Sequence, residues 1–165
     1  MVAGAGRTPA NWHWRADALA GDAVVFDLDG VLSDAAGRQH HLEYPGRNWR
    51  AFFEAVGEDP IIEEVATLLH ALDDRYLIVL LTARPLWVQP HTLGWLERND
   101  LRWDLLVMRD VGDYDDASHF KARTVEELRA VDITPTLAFE DDRRNVAMFR
   151  SRGVPCVYIH SGYYD

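Results

Sequence analysis

The stretch that decides the fold is Val24-Val25-Phe26-Asp27-Leu28-Asp29-Gly30-Val31-Leu32-Ser33. Its β-branched and aromatic first half predicts a buried strand over residues 23–28. Because side chains alternate along a strand, Asp27 and Asp29 are expected on the same side, where that strand ends. The two like charges repel each other, and neither has an obvious cationic partner nearby in the sequence. A divalent cation would resolve the conflict, as would a reaction that needs one carboxylate ionised and the other protonated. The alternative is a strand that ends in an ordinary Asp-Gly turn.

The composition is that of an ordinary globular domain with one core. The chain has 165 residues, of which 48% are hydrophobic and 27% charged, and its net charge is −10. That charge argues against nucleic-acid binding through a broad basic face, but not against a local grip on one terminal phosphate. The sequence has no apolar run of membrane-spanning length and no secretory signal pattern, and its single cysteine, Cys156, excludes a disulfide framework. We therefore expect a cytoplasmic protein that is not bound to a membrane.

Strands and helices alternate along the chain. Further strands are predicted over residues 76–81, 105–108, 136–139 and 156–159, and helices over residues 48–56, 60–73, 85–99, 121–131 and 145–152. Residues up to about 9 are predicted to be unstructured, residues 11–19 to form a short helix, and residues 33–47 to form a loop. The alternation predicts an α/β fold, a Rossmann-like three-layer α/β/α domain with a central parallel sheet. We expect this domain over residues 21–165, after an N-terminal extension over residues 1–20.

Polar groups follow three of the predicted strands, and a lysine opens a predicted helix. These residues are Asp27 and Asp29, Thr82 and Arg84, Glu140 and Asp141, and Lys121. Ligand sites in open α/β sheets lie at the carboxyl ends of the strands, so we expect these side chains to meet at one edge. Carboxylates hold hard cations, whereas cationic and hydroxyl groups hold phosphate oxygens. The set therefore suits phosphoryl transfer.

In their order and placement, these motifs resemble those of the haloacid dehalogenase-like superfamily of aspartate-nucleophile phosphatases. The matching segments are Asp27-x-Asp29-Gly30-Val31-Leu32, Leu80-Leu81-Thr82, Lys121 and Glu140-Asp141. Thr82-Ala83-Arg84 is also similar to the second motif in the phosphatase domain of bacteriophage-type polynucleotide kinase–phosphatase. Arg38 stands eleven residues after Asp27, where that family places a phosphate-contacting arginine. The resemblance covers residues 22–163, and the sequence contains no Gly-x-x-x-x-Gly-Lys-Ser/Thr loop of the kinase half.

The resemblance implies a role for each matching residue. Asp27 is the expected nucleophile, and Asp29 the acid that protonates the leaving oxygen and then activates water. Mg²⁺ is expected on Asp27, on the backbone carbonyl of Asp29 and on Asp141, while Thr82 and Lys121 stabilise the transferring phosphoryl group. The expected substrate-binding residues are Arg38, Ala83, Arg84 and Glu140.

Two positions depart from the family pattern. Glu140 stands where the family usually has an aspartate, so Asp142 is an alternative to Asp141 as a metal ligand, although the spacing from Lys121 and to Gly153 favours Glu140-Asp141. The aspartate that the family carries shortly before its lysine has three candidates here. They are Asp113, Asp115 and Asp116.

The leading hypothesis is a Mg²⁺-dependent phosphomonoesterase that removes 3′-phosphates from DNA or RNA ends, with a separate kinase or ligase as a candidate partner. The interval between Asp29 and Thr82 leaves no room for a large cap, so we expect a minimal cap and a site open to a polynucleotide end. The alternatives are a phosphatase of nucleotides or other small metabolites, and a non-catalytic phosphate-binding module. The six tryptophans are predicted to anchor the core and interfaces, with base stacking by Trp49 or Trp87 as the alternative.

Overall fold

A six-stranded sheet organises the computed structural model, which describes residues 8–164. The strands are β1 (Trp12–Trp14), β2 (Gly21–Phe26), β3 (Leu77–Pro85), β4 (Leu105–Arg109), β5 (Ile133–Glu140) and β6 (Cys156–Tyr158). Their spatial order is β1-β4-β3-β2-β5-β6, and all neighbours pair in parallel except β1, which runs antiparallel to β4. The predicted Rossmann-like α/β arrangement is confirmed. Most of the N-terminal segment predicted to be unstructured lies outside the described residues.

Helices cover both faces of this sheet. They are α1 (Trp49–Glu54), α2 (Glu63–Ala71), α3 (Gln89–Arg98), α4 (Ala117–Arg129) and α5 (Arg143–Ser151). Short 3-10 helices span Ala35–Leu42, Ala55–Glu58 and Leu86–Val88. Alternate residues of β2 pack in opposite directions, Phe26 against the α2 and α3 side and Val25 against the α4 and α5 side. Within residues 8–164, no helix is both long and apolar enough to cross a bilayer.

The prediction of a helix over residues 11–19 is wrong. Trp12–Trp14 instead form the edge strand β1, with Trp12 opposite Val107. The side-chain amide of Asn11 donates to the Met108 backbone carbonyl at 2.8 Å, and this bond fixes the register of β1 on β4. The strand buries Trp12 against the sheet, which outweighs the weak helical pattern of the segment.

Three helices begin three or more residues from their predicted starts. The helix predicted from residue 85 begins at Gln89, because residue 85 still belongs to β3 and a 3-10 helix spans Leu86–Val88. The helix predicted to open at Pro60 begins at Glu63, because Ile61 is held in an isolated bridge to Ser33 and the Pro60 carbonyl accepts from the Asp34 amide at 2.8 Å. Helix α4 begins at Ala117, so Lys121 lies in its second turn and not at its start. The predicted loop over residues 33–47 contains the 3-10 helix Ala35–Leu42.

Candidate active site

A tight loop after β2 places the two aspartates at the carboxyl edge of the sheet. The carbonyl of Leu28 accepts from the amides of Val31, Leu32 and Ser33 at 2.9–3.1 Å, which folds the chain back directly after the strand. Gly30 has a φ of 81°, and a Cβ at this position would overlap the Asp141 carboxylate. The glycine therefore allows the loop to pass directly against the end of β5.

Three carboxylates and one ammonium group form a buried cluster at this edge. The Lys121 ammonium lies 3.1 Å from an Asp27 oxygen and 2.6 Å from a Glu140 oxygen. Asp27, Glu140 and Asp141 each place one oxygen within 4.8 Å of the others. One ammonium against three carboxylates leaves two negative charges uncompensated when all are ionised. The predicted meeting of Asp27, Lys121, Glu140 and Asp141 is thus observed.

The surroundings shift the pKa of every member of this cluster. Burial and the neighbouring Glu140 carboxylate raise the pKa of Asp27 well above its usual range. Burial also raises the pKa of Asp141 to about 7, although the Ser161 hydroxyl opposes this shift. Burial alone would raise the pKa of Glu140, but attraction to Lys121 lowers it. Burial alone would lower the pKa of Lys121, but attraction to Asp27 and Glu140 raises it.

The donor set fits a hard divalent cation. Both Asp141 oxygens are buried, and neither accepts a hydrogen bond of normal geometry from the described residues. Carboxylate oxygens are the ligands that Mg²⁺ prefers, and a charge of +2 would balance the cluster. The described residues that could hold the ion are Asp27, Asp141 and Glu140, while ligation by the Asp29 carbonyl and substrate binding by Glu140 stay predictions.

Asp29 lies in a different environment, between two buried arginines. Its Oδ1 accepts from Arg84 Nη2 at 2.6 Å and Nε at 3.0 Å, and from Arg38 Nη2 at 2.7 Å. Burial alone would raise the pKa of Asp29, but Arg84 and Arg38 outweigh it and lower that pKa. Asp29 is therefore ionised in this arrangement, contrary to the expectation that it carries the proton of the pair.

A fourth charged residue, Asp59, completes this arrangement. Its carboxylate accepts from Arg38 Nε at 2.8 Å and Nη2 at 2.7 Å, and from the Ser33 hydroxyl at 2.5 Å. Arg84 Nη2 lies 3.6 Å from it. We call Asp29, Arg38, Asp59 and Arg84 the arginine–aspartate quartet. Asp59 was not predicted as a site residue because its partners lie far away along the chain.

The quartet changes the interpretation of both arginines. Arg84 lies within β3 and not at a helix start, and its charge is matched by Asp29. Its Nη1 donates to Thr92 at 3.2 Å, and Arg38 Nη1 donates to the Phe52 carbonyl at 3.3 Å. Both guanidinium groups are thus already occupied by protein acceptors and face Asp29 more directly than Asp27. Contact of either arginine with a substrate phosphate stays a prediction.

A cavity of about 460 Å³ opens over these groups. The predicted residues that line it are Asp27, Asp29, Thr82, Ala83, Arg84 and Lys121. Thr82 Oγ1 accepts from the Arg84 amide at 3.1 Å, which leaves its hydroxyl proton available for a ligand. Arg109 and Arg144 also line the cavity, although neither belongs to a matching motif.

The structure places the alternative acidic residues, Asp142 and the three candidates before Lys121, in different surroundings. Asp142 caps α5, since it accepts from the Arg144 amide at 2.9 Å, and it lies outside the carboxylate cluster. Asp113 and Asp115 pair with Arg123 at 2.5 and 3.3 Å. Asp116 lines the cavity and has no ion pair within the described residues. Of the three candidates before Lys121, Asp115 and Asp116 both line the cavity, and Asp116 is the one of these two without an ion pair among residues 8–164.

Comparisons with known proteins agree with this geometry. A family model described as "Polynucleotide kinase PNKP phosphatase domain" matches residues 21–164. Two solved structures of a Pnkp1/Rnl/Hen1 complex, one described as an RNA repair complex, contain chains with TM-scores of 0.73 and 0.71 and identities of 28% and 24%. These matches cover 90% and 96% of this chain but 48% of each matched chain, so the protein spans about half of their length.

More distant structures share the fold alone. A class C acid phosphatase from Bacillus anthracis has a TM-score of 0.59 at 16% identity, over 88% of this chain and 69% of that one. An L-2-haloacid dehalogenase has a TM-score of 0.56 at 12% identity, over 86% of both chains. No curated protein sequence matches the chain. The family match spans nearly the whole chain, and the structure assembles the predicted motifs at one edge of a fold shared with haloacid dehalogenase-like hydrolases. The chain therefore belongs to the family of polynucleotide kinase PNKP phosphatase domains.

Proposed function

We propose that the protein is a Mg²⁺-dependent phosphomonoesterase that removes 3′-phosphates from polynucleotide ends through an aspartyl-phosphate intermediate. The observation that carries the proposal is the pairing of two unlike aspartates in one cavity. Asp27 lies in the metal-suited carboxylate cluster, and Asp29 is held by two arginines. Nucleophilic attack and proton transfer by neighbouring carboxylates require unlike environments. Bound Mg²⁺ and substrate phosphate would have to reverse the present pKa directions, which are raised for Asp27 and lowered for Asp29.

The cluster residues prepare the nucleophile. Asp27 Oδ1 accepts from the Leu28 amide at 2.8 Å and lies 3.1 Å from the Lys121 ammonium, so its other oxygen is the one to attack phosphorus. Mg²⁺, held by Asp27, Glu140 and Asp141, would supply charge that favours the ionised nucleophile and attracts the phosphate. Lys121 and the Thr82 hydroxyl are placed to stabilise the transferring phosphoryl group.

Asp29 performs the proton transfers in this proposal. All three of its arginine hydrogen bonds end on Oδ1, so Oδ2 is the oxygen that takes and gives the proton. The negative charge of an entering phosphate offsets the arginines, so Asp29 Oδ2 takes a proton from solvent water or from a monoanionic phosphate and then gives it to the leaving oxygen. The resulting carboxylate then takes a proton from the water that hydrolyses the aspartyl-phosphate. Arg38 and Arg84 position this carboxylate.

Family membership supports a polynucleotide substrate. The matched family is a polynucleotide kinase phosphatase domain, and one matched complex is described as an RNA repair complex. The segment between β2 and β3, residues 27–76, forms one wall of the cavity. This segment contains no large cap domain, so the cavity has room for a chain end. A kinase or ligase partner, a cytoplasmic location and a domain boundary near residue 21 are parts of the same proposal.

The decisive experiment is a phosphate-release assay with Mg²⁺ on 3′-phosphorylated oligonucleotides, mononucleotides and an aryl phosphate. The proposal expects the highest kcat/KM on the oligonucleotides and no turnover by Asp27→Asn. Faster turnover of mononucleotides would favour a nucleotidase. No turnover of any ester by the wild-type protein would favour a phosphate-binding module.

A further inference from the structure

An aromatic groove opens beside the active-site cavity. It has a volume of about 760 Å³ and is lined by Trp49, Phe53, Pro85, Trp87 and Tyr114. Trp49 is 50% exposed, Trp87 44% and Tyr114 92%, so Trp49 and Trp87 are not the core anchors that the sequence suggested. Such a contiguous exposed apolar surface is typical of a binding site. We refer to it as the aromatic groove.

The rings at the base of the aromatic groove are packed against one another. The Trp49 ring stacks on Phe53, with centroids 5.8 Å apart and planes 25° apart. Phe53 meets Trp87 edge to face at 6.4 Å. The ring faces are therefore held in place before a ligand arrives, which reduces the entropy lost on binding.

The groove and the active-site cavity share one wall. Trp49, Phe53, Ala83, Arg109 and Tyr114 line both. A ligand whose phosphate reaches Asp27 would extend its next groups along this wall and over the aromatic rings. The groove is thus the natural path for the remainder of the substrate.

The charges along this wall favour a polyanion. The Arg109 Nε is buried, yet it has no hydrogen-bond acceptor among residues 8–164. Asp113, the acidic residue at the rim, is already paired with Arg123 at 2.5 Å. The Arg109 guanidinium lies 5.7 Å from the Phe120 ring centroid and forms no ion pair within residues 8–164. A cation of this kind beside flat apolar rings suits a chain of phosphates with planar bases.

We propose that the aromatic groove binds the unpaired bases at the 3′ end of a single-stranded polynucleotide. Trp87 stacks on a base, and Arg109 contacts the phosphodiester next to the terminal phosphate. The inference rests on the proposed function and names the form of its substrate. Stacking requires open base faces, so a frayed or single-stranded end is preferred to a closed duplex.

The test compares two 3′-phosphorylated hexanucleotides, one intact and one with abasic sugars at its last two positions. Wild-type kcat/KM is expected to be about tenfold or more higher for the intact hexanucleotide. Trp87→Ala is expected to remove this difference by lowering kcat/KM for the intact hexanucleotide alone, and Trp87→Phe to restore part of it. Leu68→Ala, which changes an exposed apolar side chain outside both cavities, is the matched control.

An equal loss on both substrates, or no loss on either, would overturn the proposal. In the second case the groove would be a docking site for a protein. Binding of the same hexanucleotides to Asp27→Asn by fluorescence anisotropy separates this failure from that of the proposed function. The inference requires that Asp27→Asn binds the intact hexanucleotide more tightly than the abasic one, and that the double variant Asp27→Asn/Trp87→Ala loses this preference. The proposed function fails separately, when the wild-type protein releases no phosphate.

Discussion

Asp29 presents its two carboxylate oxygens to different surroundings. Oδ1 carries three charged hydrogen bonds from Arg38 and Arg84, whereas the side chain remains 22% exposed toward the cavity. A carboxylate fixed at one oxygen keeps its orientation and can still exchange a proton at the other. Such fixed geometry is a large part of what general acid–base catalysis requires.

Replacing Arg84 by lysine should test this positioning role. Lysine keeps the charge but loses the planar fork that bonds Asp29 and Ser33, so we expect kcat on an aryl phosphate to fall about 100-fold with little change in KM. Steady-state kinetics with saturating Mg²⁺ measure both constants, and Arg102→Lys is the control because Arg102 bonds backbone carbonyls away from the site. A raised KM with unchanged kcat would instead indicate that Arg84 binds the phosphate.

Gly30→Ala should damage the site more than an ordinary loop substitution. The new methyl group would strain the positive φ and would push against the Asp141 carboxylate. We expect a loss of about 2 kcal/mol in unfolding free energy, measured by urea denaturation, together with weaker Mg²⁺ binding. Gly37→Ala is the control, since a Cβ at Gly37 meets open space. Equal stability of the two variants would contradict this account.

Which site residues could be predicted depended on their spacing along the chain. Asp27, Asp29 and Asp141 follow strands, and Thr82 lies in the last part of β3. All four carry recognisable motifs, so they were predicted to meet. Asp59 belongs to no motif, and its partners Ser33 and Arg38 lie 26 and 21 residues away. Only the folded excursion between β2 and β3 brings them into contact. The ion pairs of Asp29 with Arg38 and Arg84, which lie 9 and 55 residues away, were not predicted either, and the role of Asp29 as the acid stays a prediction.

At the level of elements, the central strands and the edge strand β6 were predictable, whereas the edge strand β1 was not. The apolar runs of β2, β3 and β5 are buried on both sides, and such strands have a clear sequence signature. Strand β1 has three residues, and its structure depends on pairing with β4, more than ninety positions away. A strand defined by a distant partner leaves little local pattern.

Trp12→Ala should show how much this edge strand contributes. Trp12 packs in the same cluster as Leu105 and Val107, and its removal leaves a gap over the sheet. We expect the unfolding free energy to fall by about 3 kcal/mol while the kcat of the remaining folded protein is unchanged. Urea titration and an aryl phosphatase assay measure the two quantities, with the exposed Tyr44→Ala as the control. A stability loss no larger than that of the control would mean that β1 is dispensable.

For the whole molecule, the buried excess of negative charge in the carboxylate cluster should make the stability of the fold depend on bound divalent metal. The carboxylate cluster keeps an excess of negative charge inside the protein, so a divalent cation should stabilise the fold. We expect saturating Mg²⁺ to raise the melting temperature by about 5 °C at pH 8. In Asp141→Asn the metal-free protein should melt higher than wild type, and the Mg²⁺ effect should vanish.

Differential scanning fluorimetry in EDTA and in Mg²⁺ measures this shift. Asp115→Asn is the control, because Asp115 pairs with Arg123 outside the cluster and its loss should leave the metal effect intact. An equal Mg²⁺ shift in wild type and Asp141→Asn would place the ion elsewhere.

Cys156 should be unreactive in the folded protein. Burial, and secondarily the Glu140 carboxylate, raises the pKa of its thiol from 9.0 to about 12, so little thiolate is present at pH 8. The shift favours the neutral thiol; its contribution to stability is complete below about pH 9 and is lost as the pH rises toward 12. Iodoacetamide labelling at pH 8 should therefore proceed only in urea, and rapid labelling without urea would contradict the burial of this thiol.

The arginine–aspartate quartet also bears on how the sequence can diverge. Its two positive and two negative side chains are balanced among themselves, so the loss of any one leaves an unmatched charge in a buried place. Single substitutions at these four positions should be strongly disfavoured, whereas paired replacements of an arginine with its carboxylate are less costly. We therefore expect the four positions to covary among homologous sequences, and to change together wherever the chemistry of the site has been lost.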